Sequence, residues 1–190
     1  MMLEAFDPTY NKPVQTFVAR LDLSEAARAR LDGATSVRRY VERLAVEGCA
    51  VDALAVIAHG LPTQYLAAWC CECVRNSLDS AGTQLEAERA AIALAEQCLR
   101  HPTDDNRELC LEFAERAKHR SAGAWLATAA AWVEGSLAPR GSPHVPAPDT
   151  AIAAAVLAAL QFAAARYPGA ARQERLKAYA ERALVVFGTA

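Results

Sequence analysis

The run Trp69-Cys70-Cys71-Glu72-Cys73 places three thiols and a carboxylate within five residues. Those residue types suit zinc or thiol chemistry. A zinc site needs four ligands, commonly as two separated pairs or with His nearby. On a helix Cys70 and Cys73 share a face while Cys71 points elsewhere. Cys98 and Cys110 stand alone in the sequence, as does Cys49, so no second local pair completes a site. Cysteine is among the most buried residue types, and core packing is the expected role of this run.

Nucleophilic thiol chemistry would need an imidazole close in space. The candidates are His59, His101, His119 and His144, and no spacing brings one of them to a Cys. His59 precedes Gly60 at a helix end and His119 falls in a last turn, both capping positions. His101 and His144 adjoin prolines. The residues therefore predict a chain that is not an enzyme, with no catalytic set, no bound metal and no cofactor. A Cys-dependent enzyme or toxin-like effector is the rival class.

Thr103-Asp104-Asp105-Asn106-Arg107-Glu108 clusters acids that could do acid–base work or hold a hard cation. It lacks the Gly and the spaced acids of a calcium loop, and a capped helix start with acids at the positive end of its dipole accounts for it. Arg107 is free to pair with those acids or to tie down the loop that follows further on. Val37–Leu61 resembles a helix-turn-helix, with Arg38, Arg39 and Arg43 as phosphate contacts. Its second helix carries Asp52 as its only full charge and little that reads a base edge, so a DNA-binding regulator ranks last.

The elements around these residues read as helices throughout. Residues 1–13 form an irregular lead-in with Pro8 and Pro13, followed by a short helix over about 14–20 and one from Ser24 to Leu31, ended by Gly33. Thr35 or Ser36 caps a helix whose Val37, Tyr40, Val41, Leu44 and Ala45 repeat as a buried stripe, stopped by Gly48. Val51–Ala58 is a short helix closed by Gly60, and Pro62 opens another to Asn76. Thr83 caps 85–100, with Ala87, Ala91, Leu94, Ala95 and Cys98 on one face. The helix over 104–119 buries Leu109, Cys110, Phe113, Ala114 and Ala117, and Ser121 caps a nearly uncharged helix to Glu134. Asp149 caps 150–166, Tyr167-Pro168-Gly169 turns the chain, and 170–187 completes it. With no strand-like alternation and short connections, the expected fold is all-α: a compact bundle of about eight to nine helices in a single domain over 1–190.

One connection is long. Ser136–Pro148 holds Pro139, Pro143, Pro146 and Pro148 and is expected to run extended across the surface. Loops of that length in compact domains often carry function. Leu137, Pro139, Arg140, Pro143, His144, Val145 and Pro146, with Trp132 beside them, are the candidate partner-binding residues. The alternative is a strap over the end of the Trp-bearing helix.

Composition bounds the partners. The formal charge of −2 gives no cationic footprint for nucleic acid and no attraction to anionic lipid, so the expected partner is a protein. The N-terminus carries Glu4 and Asp7 without a basic or apolar leader, and the longest uncharged run, Ala151–Ala165, is shorter than a membrane span. Free thiols inside helical stripes fit a reducing, cytoplasmic setting. Oligomeric state is not legible.

Trp125-Leu-Ala-Thr-Ala-Ala-Ala-Trp132-Val-Glu-Gly-Ser-Leu-Ala-Pro139 resembles an uncharacterised bacterial all-helical family whose members are often encoded beside type VI secretion genes. The resemblance takes in Trp69–Arg75, Pro102–Arg107, Val145-Pro-Ala-Pro148 and the final helix, so roughly residues 61–187, and leaves 1–60 unmatched. It implies a cytoplasmic accessory role, as an adaptor or chaperone for an effector or apparatus component, and brings no catalytic residues. That family's glycine-rich run before Ser136 is here Val133-Glu134-Gly135.

Overall fold

A computed structural model describes residues 13–31, 36–78, 84–138 and 140–186. The lead-in, Gly33, Thr35, Thr83, Pro139 and Phe187 lie outside those residues. The described chain is all-helical, with ten helices: α1 (Gln15–Val18), α2 (Glu25–Arg28), α3 (Val37–Val46), α4 (Ala50–Gly60), α5 (Thr63–Asn76), α6 (Gln84–Arg100), α7 (Asp104–Arg116), α8 (Ala122–Val133), α9 (Asp149–Ala164) and α10 (Ala170–Val186). Eight have ten or more residues; α1 and α2 are single turns of four.

The chain divides into two compact units, one of residues 1–61 with 167–190 and one of 62–166. In the first, α3 and α4 pack against each other and against α10. The expected stripe Val37, Tyr40, Val41, Leu44 and Ala45 is buried. Ser36 caps α3 by accepting from the Arg39 amide at 3.3 Å, and Gly48 reverses the chain at φ +78°. Tyr40 donates its buried hydroxyl to the Ala27 carbonyl at 2.7 Å, and burial pushes its pKa up. Gly60 is the last residue of α4 rather than a residue beyond it. A Cβ there would stand 2.9 Å from Val37 Cγ1, so close helix approach, not a turn, requires glycine.

Two of the three Arg residues proposed for phosphate contact are engaged within this unit, and the third, Arg39, is exposed. Arg38 pairs with Glu42 at 2.9 Å, and Arg43 donates to the Arg30 carbonyl at 2.6 Å. Asp52 accepts from both the amide and hydroxyl of Ser24, at 2.8 and 2.9 Å, and so anchors the start of α2.

In the second unit α8 packs against α5, α6, α7 and α9. Nine of its twelve residues are buried, six of them alanine, so small side chains admit neighbouring helices on every side. Leu66, Trp69, Cys70 and Cys73 of α5 are buried as expected; Cys71, expected to point elsewhere, is buried as well.

Two stripes are rotated from their expected phase. On α6 the buried positions are Glu88, Ala91, Ile92, Ala95 and Cys98, with Ala87 exposed. On α7 they are Arg107, Cys110 and Ala114, with Leu109 43% exposed. Each helix turns a charged side chain inward and gives it an ion-pair partner. Glu88 pairs with Arg166 at 2.6 Å, and Arg107 with Asp104 at 2.9 Å. α7 also stops earlier than expected, at Arg116. Lys118 and His119 then take left-handed φ values of +50° and +52°, a reversal usually left to glycine.

Candidate functional site

The site is built where the start of α7, the end of α8 and the Ser136–Pro148 loop meet. Thr103 caps α7 by accepting from the Asn106 amide at 3.3 Å, with Asp104 and Asp105 in the first, electropositive turn. Arg107 lies one turn along. Its Nη1 donates to the Ser136 carbonyl at 3.4 Å, and its Nε is buried without a partner among the described residues. So Arg107 does both things expected of it, pairing with an acid and holding the loop.

Gly135 makes that reach possible. A Cβ there would fall 2.6 Å from Arg107 Cδ and 1.9 Å from the Ala131 carbonyl oxygen, and the latter is backbone that cannot yield. One glycine at 135 is therefore what the end of α8 requires.

The loop does not run extended. Ser136 and Pro146 form an isolated antiparallel bridge, and the Leu137 amide donates to the Val145 carbonyl at 2.7 Å. The buried Ser136 hydroxyl accepts from Ala138 and Val145 amides at 3.0 and 2.9 Å. Gly141 turns the tip at φ +82°. Prolines barred a helix, but the amides between them are still free to pair across the loop. Arg140 reaches back to α7, 2.8 Å from Asp105 and 3.4 Å from Glu108.

Of the candidate partner-binding residues, Leu137 and Val145 are both 47% exposed and sit opposite each other across the bridge. Arg140, Pro143, His144 and Pro146 are exposed too, while Trp132 is half-buried at the end of α8. Pro139 lies outside the described residues.

Behind the loop is a pocket of about 70 Å³ lined by Cys98, Thr103, Asp104, Arg107, Glu134, Gly135 and His144, among others. A thiol, an imidazole and two acids thus share one small space. Cys98 donates to the Ala130 carbonyl at 3.7 Å, and no hydrogen bond joins it to His144 among the described residues. Among the described residues the pocket shows no linked thiol–imidazole–acid chain of the kind that activates a nucleophile.

The remaining candidates are structural. His119 donates from Nε2 to the Thr128 hydroxyl at 3.1 Å, because that hydroxyl itself donates to the Ala124 carbonyl at 3.0 Å. Its ring leans on Trp125 with centroids 4.9 Å apart. Burial lowers the His59 pKa. Cys70 and Cys71 are pushed up by burial, Cys71 to about 12. No group of three or more His, Cys, Asp or Glu able to hold a metal occurs among the described residues. None of the described helices is long and apolar enough to cross a membrane.

Glu88 is the polar residue that sequence reasoning missed. Its Oε2 accepts from the Gly123 amide at 2.5 Å at the start of α8. The two Gly-123-side donors are shared out, since Ser121 accepts from Ala124 at 3.1 Å. The only signal was a carboxylate at stripe spacing from Ala91, Ile92 and Ala95.

No curated protein and no solved structure matches the chain. A family match begins at Tyr40, so it extends into residues that the resemblance left unmatched. Spanning residues 40–187, it shows that the chain belongs to a family of unknown function (DUF6931).

Proposed function

We propose that this chain is a non-enzymatic, protein-binding helical module whose contact surface is the Ser136–Pro148 loop. The supporting observation is the pairing of Leu137 with Val145: two half-exposed apolar side chains on a loop closed by its own hydrogen bonds. A loop ordered before binding loses less entropy on docking than a free strand would. Its anchors, Ser136 and Arg107 inside and Arg140 outside, hold it against α7. The resemblance to a bacterial family encoded beside type VI secretion genes supports a cytoplasmic accessory role, as adaptor or chaperone for an effector or apparatus component. The test replaces Pro143, Val145 and Pro146 together by Ser and measures partner capture from the native cell alongside thermal stability. Capture should fall with the melting temperature nearly unchanged; joint loss of both would mark the loop as a structural strap.

A second reading has its own observation. Cys98, His144, Asp104 and Glu134 line one pocket, which favours a thiol-dependent enzyme. Alkylation of native protein discriminates the two, because an enzyme of this kind loses its activity with the labelling of Cys98.

A further inference from the structure

The pocket behind the loop and the apolar pair on the loop adjoin. Glu134 and Gly135 line the pocket, and the chain passes from them straight into Ser136 and Leu137 of the bridge. On the returning limb His144 lines the pocket and Val145 follows it. The Ser136 hydroxyl accepts from the Val145 amide at 2.9 Å and so holds the two limbs together there. Leu137 and Val145 therefore stand within two residues of the pocket lining. Asp104, Glu134 and His144 are exposed, so the lining is reachable from solvent. Strand addition to this loop has few donors to use. Pro143 and Pro146 have no amide hydrogen, and the Leu137 and Val145 amides are already paired within the loop. Recognition here falls to side chains.

We propose that this surface takes a basic side chain of the partner protein, lysine or arginine, against Glu134, with an apolar partner residue seated on Leu137 and Val145. The proposal rests on the reading of the loop as the contact surface and adds the chemistry of what it contacts. Charge is the argument. Asp104 and Glu134 line the pocket with one guanidinium, Arg107, and Arg107 pairs with Asp104 at 2.9 Å. Glu134 accepts from the side-chain amide of Gln64, a neutral donor, and has no cationic partner among the described residues. The loop's own cation, Arg140, is held instead by Asp105 at 2.8 Å and Glu108 at 3.4 Å. An uncompensated carboxylate beside two half-exposed apolar side chains favours a cationic, apolar-flanked segment and repels an acidic one. Ala130 and Ala131 offer the aliphatic stem of such a side chain an apolar wall.

The experiment titrates the full chain against two fluorescent peptides, one of leucine and lysine and one with glutamate in place of every lysine, and reads anisotropy. The lysine peptide is expected to bind and the glutamate peptide is not. Glu134→Lys should weaken binding roughly tenfold, by setting like charges against each other. Val145→Ser should weaken it as well, while Glu174→Lys, on exposed α10 surface, should leave it unchanged. The proposal is overturned if the lysine peptide fails to bind, if both peptides bind alike, or if Glu174→Lys costs as much as Glu134→Lys. The peptide comparison on the wild-type chain needs no substitution, so a folding defect in a variant does not rescue the idea. In the native cell, a photoreactive residue at Val145 is compared with and without Glu134→Lys. Loss of the crosslinked protein in the variant supports the proposal. An undiminished crosslink overturns it and leaves the loop as contact surface, whereas no crosslink in either chain removes the loop reading itself.

Discussion

The Glu88 carboxylate and the Gly123 amide meet at 2.5 Å, where α6 passes the start of α8. A Cβ on residue 123 would stand 2.6 Å from both Glu88 Oε2 and Ala91 Cβ, so the glycine and the carboxylate are a matched pair. The acid satisfies an otherwise orphaned helix amide, sits at the positive end of the α8 dipole and binds Arg166.

Glu88→Ala should therefore destabilise the chain by about 2–3 kcal/mol, through the lost acceptor and the released Arg166. Glu88→Gln, which keeps an acceptor for Gly123, should cost roughly half as much. Chemical denaturation of the two variants checks the order; equal losses would mean that charge alone matters.

Ser136→Ala removes the hydroxyl that accepts from Ala138 and Val145. Leaving two part-buried amides unpaired should cost about 1–2 kcal/mol. Hydrogen exchange at Val145 should accelerate with little change in α9. Unchanged exchange at Val145 would show that the loop is held by other contacts.

Thiol labelling of native protein should separate the cysteines by burial and charge. Cys49, half-buried, reacts first with a bulky maleimide, while Cys70 and Cys71 stay protected because burial disfavours their thiolates. A Cys70 or Cys71 that labels as fast as Cys49 would contradict the packing of α5.

His59 links stability to pH with a definite sign. Burial favours its neutral form, so its folded pKa lies below the usual 6.5 and the unfolded chain takes up the proton first. Stability should fall as the pH drops below about 6.5, and His59→Gln should flatten that part of the profile. Melting curves from neutral to mildly acidic pH measure both.

Local signals were legible where one element decides the outcome. Ser24, Ser36 and Ser121 cap the helices they precede, and the uncharged run after Ser121 is buried as its composition requires. Phase was lost where a charged side chain turns inward to a distant partner. Glu88 meets Arg166 across 78 positions, and no periodicity carries that information. On α7 Arg107 takes an inward place to reach the Ser136 carbonyl, 29 positions on, and Leu109 is left outside. In the loop, prolines showed where a helix must stop. The fold-back depends instead on Ser136 and on amide pairing between Leu137 and Val145, which composition does not encode.

Site-specific photo-crosslinking in the native cell tests the interaction reading most directly. A photoreactive residue at Val145, on the loop, is compared with one at Val46, which is 79% exposed on α3. The account predicts a discrete crosslinked protein at position 145 and none at 46. An empty lane at 145, or the same products from both positions, would contradict it.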